Sequence, residues 1–208
     1  MRVKIIVICM LLLLGCSSTR LVSTWKNPDI VLFDAYKVLV VGMSQDENVQ
    51  LLFETRLKEA LSTKGVEAMR SVDLFDVAFT TSEKSEEELT EVEQQLLDKG
   101  FDAILFTKVV GTENRRTFRE RINNISEIYT RFSADYLEHQ DIYYNPEYYE
   151  TFNIYNVETS LYCICVDKER ELIWRGYINV AEPSNMEKTI DSYIKLIAGK
   201  MGEQDVIF

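Results

Sequence analysis

Histidine is almost missing from this chain: among 208 residues, His139 stands alone. A metal or catalytic centre that needs two imidazoles therefore cannot be assembled within one copy. His139 sits in the polar stretch "EHQD", which reads as solvated surface rather than as the seat of a lone base. Phosphate-cradling GxxxxGK and the Gly-x-Ser-x-Gly nucleophile elbow are both absent. In the first strand-to-helix turn, "GMSQDEN", Asp46 and Glu47 suit the helix dipole themselves and repel an anion. Only three prolines beside 46% hydrophobic residues exclude a disordered chain. Basic residues are outnumbered 23 to 34, for a formal charge of -11, and such a chain is repelled by phosphate backbones. No nucleic-acid partner, cofactor, metal or enzymatic turnover is expected.

A membrane-spanning run is lacking too. The apolar block Ile5 to Gly15 is eleven residues long, short of the roughly 20 that a spanning helix needs. Preceded by Arg2 and Lys4 and followed by small residues, it reads as a secretory signal peptide over residues 1–15. "LLGC", Leu13 to Cys16, resembles the lipobox of bacterial lipoproteins, in which the signal is cut before a diacylated cysteine. That resemblance implies lipidation, a palmitate-type anchor, at Cys16. Ser17, rather than Asp, resembles the pattern of lipoproteins sent on to the outer membrane. Losing Arg2 and Lys4 with the signal takes the formal charge from -11 to -13.

Residues 16–36 carry no clear period and read as a lipidated tether, with Trp25 either docked on the domain or touching a partner. From residue 37 to 208 a single α/β domain is expected. "KVLVVGM" is an apolar run with β-branched residues, the mark of a strand buried on both faces. A helix follows, with Val49, Leu52, Phe53, Leu57, Ala60 and Leu61 at helical spacing and Gly65 as its stop. "KGVEAMRS" and "KGFDAILF" form a weak repeat in which a helix ends at glycine and a strand begins. Ser85 and Glu88 announce the second helix as a capping box. Glu86, Glu87, Glu88, Glu91 and Glu93 near its start read as a solvated face, since no Asp-rich loop with glycine accompanies them. Two long strand candidates, "TFNIYNVETSLYCICVD" and "ELIWRGYINVAEP", are separated by "KER", a hairpin signal. A final helix is expected from Ser184, with Glu187 completing a capping box. The order is β-α-β-α-β, then an insert, then a β-hairpin and a C-terminal helix: a mixed β-sheet packed with helices in two or three layers. Cys163 and Cys165 read as core hydrophobes, with a redox pair as the alternative.

The lipobox, the short "TW" segment, the "KVLVVGM" strand, the glycine joints and the "LIWRGYINV" strand before a last helix resemble uncharacterised lipoproteins of Gram-negative envelopes. The element order is similar to the N-terminal domain of the periplasmic Tol-system protein TolB, and to lipoprotein activators of penicillin-binding proteins. The resemblance implies a binding module in the cell envelope and brings no catalytic residue.

One segment stands out, the insert at about 112–152. Seven of the eleven tyrosines fall between Tyr129 and Tyr155, and "ENRRTFRER" precedes them in an otherwise acidic chain. Arg116, Arg119, Tyr143, Tyr144, Tyr148 and Tyr149 are the candidate partner-binding residues, because tyrosine pairs an apolar body with a polar tip. The blander alternative is an extended strand pair with tyrosines packing across it. The leading expectation is a non-catalytic interaction module, tethered by lipid to the outer membrane and facing the periplasm, that holds an envelope protein or peptidoglycan. The alternative is a hydrolase or small-ligand carrier with an acidic, Tyr-lined pocket. Convergent acids and tyrosines in a deep pocket would favour the second, and an exposed aromatic face the first.

Overall fold

A strand that is apolar at every position after its first has to be covered on both sides, and the second strand, β2 (Lys37–Gly42), is. Val38 and Val40 point into one core with Ala103, Leu105 and Leu161. Leu39 and Val41 point into the other with Ile104, Phe106 and Tyr162. The computed structural model describes residues 19–76, 79, 82–110, 131–145, 154–164, 171–181 and 185–207. Around β2 are arranged β1 (Thr19–Lys26), β3 (Glu67–Arg70), β4 (Ala103–Val109), β5 (Ile154–Cys163) and β6 (Glu171–Ala181). They form one sheet in the order β1-β6-β5-β4-β2-β3. β2 pairs in parallel with β3 and β4, and every other pairing is antiparallel, so the expected mixed α/β sheet is what forms.

Helices α1 (Glu47–Ser62) and α5 (Met186–Glu203) cover the first face, burying Phe53, Leu57 and Leu61 beside Ile190, Ile194 and Ile197. The second face carries α3 (Glu86–Asp98) and α4 (Phe132–His139), and a four-residue turn of helix, α2 (Ser71–Leu74), follows β3. The result is three layers. Local signals account for the helix starts: Asp46 accepts from the backbone of Asn48 and Val49, and Ser85 with Glu88 forms the expected capping box. Gly65 and Gly100, at φ 82 and 79, turn the chain out of α1 and α3. α5 is capped by Asn185, which accepts from Lys188 N, instead of by Ser184.

Three expectations are corrected. Residues 19–26 are not a tether but the edge strand β1, paired with β6; a register shift between Leu21 and Ser23 breaks its alternation, which is why no period is visible. The described part of the insert, 131–145, is helical instead of a strand pair, because Phe132 and Tyr136 lie one turn apart and both bury in the second core. Cys163 is buried as expected but disulfide-bonded, not a free thiol, and Cys165 lies outside the described residues.

Candidate functional site

Charged residues in the middle of apolar strands need partners, and three strands each supply one to the second face: Lys108 on β4, Glu158 on β5 and Arg175 on β6. Lys108 and Glu158 are register partners, as are Ser160 and Arg175. Above them α4 lowers Asp135, which is wholly buried. Lys108 Nζ lies 2.8 Å from both Asp135 oxygens and donates to Glu158 Oε1 at 2.6 Å. Arg175 Nε donates to Ser160 Oγ at 2.8 Å and lies 3.2 Å from Glu158 Oε1, while its Nη2 donates to Tyr162 Oη at 2.7 Å. Tyr162 in turn donates to Asp135 Oδ2 at 2.5 Å.

Burial opposes ionisation of both carboxyls, yet the adjacent cations win. Asp135 is held well below the usual carboxylate range by Lys108, His139 and Arg175, and Glu158 is lowered by Arg175 and Lys108. Two cations and two anions balance, and none of the four side chains is more than 7% exposed. Acids and tyrosines converge here, but behind a closed wall, so the cluster pins α4 to the sheet and offers no acidic pocket to a ligand.

Open space lies elsewhere. β3 and β4 flank β2 on opposite sides and their connecting helices lie on opposite faces, so the C-terminal end of β2 is a topological switch point, where α/β sheets open crevices. A cleft of about 500 Å³ opens there on the first face, between the N-terminal turns of α1 and α5. Its walls are apolar: Met43, Val49, Phe53, Val157, Val180 and Ile190 among others. Gly42 permits this approach, since a Cβ there would stand 2.8 Å from Phe53 Cδ1. The polar groups around it are already engaged. Asp46 caps α1, and Thr107, Thr159 and Tyr193 share hydroxyl hydrogen bonds of 2.7 and 2.6 Å.

A smaller cleft of about 220 Å³ lies on the second face, with Tyr136 and Tyr143 in its wall and Glu47 and Asp76 at its edge. It has the composition expected for an acidic, Tyr-lined pocket, but it falls below the roughly 300 to 1,000 Å³ typical of ligand sites. Asp76 Oδ1 also accepts from Phe79 N at 3.1 Å.

At the opposite pole the loop between β1 and β2 exposes three large apolar side chains close together in sequence: Val31 at 86%, Leu32 at 61% and Tyr36 at 83%. The loop is pinned between them. Phe33 is buried and exchanges backbone hydrogen bonds with Asp205 and Ile207, and Lys26 Nζ donates to Val31 O at 2.7 Å. Asp102 receives the backbone N–H groups of Tyr36 and Lys37 at 2.8 and 3.0 Å.

Of the sequence-predicted residues, Tyr143 and Tyr144 fall among the described ones. Tyr143 is half-buried, its ring centre 6.3 Å from that of buried Tyr136, and Tyr144 is 36% exposed. Cys16, Arg116, Arg119, Tyr148 and Tyr149 lie outside the described residues. Trp25 docks on the domain, against the second core. Three of the four buried charges carry a signal in the sequence: "LFTKVV", "NVETSLY" and "LIWRGYI" each hold one charge in an apolar run, whereas Asp135 on α4 has none. The exposed loop carries a signal as well, six apolar residues in the seven of "IVLFDAY", of which Val31, Leu32 and Tyr36 face water.

No family model matches the chain, and neither does any curated protein. Among solved structures it is similar to a PelC dodecamer from Paraburkholderia phytofirmans, at 8% identity and TM-score 0.45, over 90% of this chain and 98% of that one. It is also similar to the lipoprotein GNA1162 from Neisseria meningitidis, at 14% identity and TM-score 0.39, over 79% of this chain and 98% of that one. At these scores no residue role passes from either protein to this chain. Among the described residues no helix is long and apolar enough to cross a membrane.

Proposed function

We propose that this chain is a lipid-anchored envelope lipoprotein that works as a non-catalytic interaction module, held at the outer membrane through Cys16 and facing the periplasm. The observation that carries the reading is the exposed, pinned apolar loop of Val31, Leu32 and Tyr36. It sits at the pole of the sheet opposite the start of β1, and hence opposite the anchor. Water-facing apolar side chains held rigid cost little entropy to bury, which suits a protein partner better than a polysaccharide such as peptidoglycan. The likeness in element order to the TolB N-terminal domain and to penicillin-binding-protein activators belongs to this same reading.

The test is in-cell crosslinking followed by pull-down from membranes. Wild type is compared with a variant carrying Val31→Ser, Leu32→Ser and Tyr36→Ser, and with a second carrying Arg116→Ser, Arg119→Ser, Tyr148→Ser and Tyr149→Ser. A partner lost only in the first places the working surface on the loop. A partner lost only in the second returns it to the insert. Cys16→Ala should leave the protein without lipid label; a mutant still labelled and still in the membrane fraction overturns the anchor.

A further inference from the structure

The apolar cleft and the anchor belong to the same end of the molecule. β1 starts at Thr19, three residues after Cys16, so the two Cα atoms can be no more than about 11 Å apart. Thr19 is the register partner of Val180, and Val180 is a wall of the cleft. Leu21, next but one along β1, packs into the core on the cleft's own face. Chain length therefore keeps Cys16 within reach of the cleft's end of the sheet, with too little slack for the opposite pole.

The cleft is lined for something apolar. Its volume of about 500 Å³ falls in the usual range for small-molecule sites, and among the described residues its walls supply no unengaged charge to orient a polar ligand. Met186, at its edge, is 41% exposed, so a flexible thioether stands at the entrance. Resting on the anchored reading above, we propose that the cleft between α1 and α5 holds one acyl chain of the lipid carried by Cys16. A ligand joined by so short a link is present at an effective concentration of roughly millimolar or more. It occupies an apolar site without competition from dilute free lipid. Seating one chain in the protein while the others enter the bilayer fixes the domain's tilt, and directs the Val31 to Tyr36 loop away from the membrane.

The experiment uses the full chain in cells fed a fatty acid that carries a photoactivatable diazirine and an alkyne. After irradiation and digestion, crosslinked peptides are identified by mass spectrometry, and the intact mass of the protein reports lipidation separately. The expected product joins the peptide bearing Cys16 to one spanning Met186 to Tyr193 or Tyr155 to Val157. Met186→Asp, a change at an exposed site, should lower its yield at least tenfold while the mass added by the lipid stays the same and the protein still unfolds in one cooperative transition. A cleft peptide bound instead to phospholipid means another lipid fills the site and overturns the proposal. So does a lipidated Cys16 with an unlabelled cleft. A chain whose mass carries no lipid overturns the anchored reading first, and the cleft's occupant with it.

Discussion

Lys108 and Glu158 face each other across β4 and β5 with Nζ 2.6 Å from Oε1, and both side chains are out of water. Each is affordable inside the protein only because of the other and of Asp135 and Arg175. Lys108→Met should cost about 3 to 5 kcal/mol, because it leaves two buried carboxylates with one cation. The check is urea unfolding: the midpoint drops while the slope stays the same. Lys108→Met with Glu158→Gln restores the balance of charge and should recover part of the loss.

Acid should act on the fold with two opposite signs. Asp135 and Glu158 titrate lower in the folded state than their ordinary values of 3.8 and 4.5. Their contribution is therefore complete above those values and is lost as the pH falls through the lowered ones. Glu54 behaves inversely. Burial raises it above 4.5, against the lowering by hydrogen bonds from Ser71, Gly42, Val72 and Gln50. Its contribution is complete below 4.5 and fades as the pH climbs through the raised value. Chemical unfolding across pH 3 to 8 separates them: Glu158→Gln flattens the acid limb. Glu54→Gln, in contrast, becomes steadily more favourable relative to wild type from pH 4.5 upward.

How far the sequence foretold this molecule depends on which force placed each part. β2, α1, α3, β5, β6 and α5 were legible because an apolar period or a cap states them locally. β1 was hidden by its register shift, and α4 by tyrosines that suit strands as well as helices. The pairing of Lys108 with Glu158, and of both with Asp135, depends on sheet order and on where α4 lands. No local pattern carries that information, although single charges inside apolar strands marked the positions.

Two glycines should respond oppositely to the same change. Gly42→Ala puts a Cβ 2.8 Å from Phe53 Cδ1 at the end of β2, and should cost about 1 to 3 kcal/mol. Phe53→Leu in the same chain should relieve much of that loss. Gly199 lies inside α5 with nothing within 4 Å of an added Cβ. Gly199→Ala should stabilise by about 0.5 to 1 kcal/mol, since alanine loses less backbone freedom in a helix. Thermal melts of the single variants, and of the Gly42→Ala, Phe53→Leu pair, decide both.

Tyr143 and Tyr144 are neighbours in sequence and should part company on substitution. Tyr143 packs on Tyr136 and the second core, so Tyr143→Ala should cost about 2 to 4 kcal/mol and loosen the chain after α4. Tyr144 is 36% exposed, and Tyr144→Ser should stay within about 0.5 kcal/mol of wild type. The Val31→Ser, Leu32→Ser, Tyr36→Ser variant removes only side chains that face water, so its stability should also stay near wild type while partner capture falls. Unfolding midpoints measured beside the pull-down decide the matter. A loop variant that melts early would mean that these side chains support the fold, and the loss of a partner would then say nothing about where that partner binds.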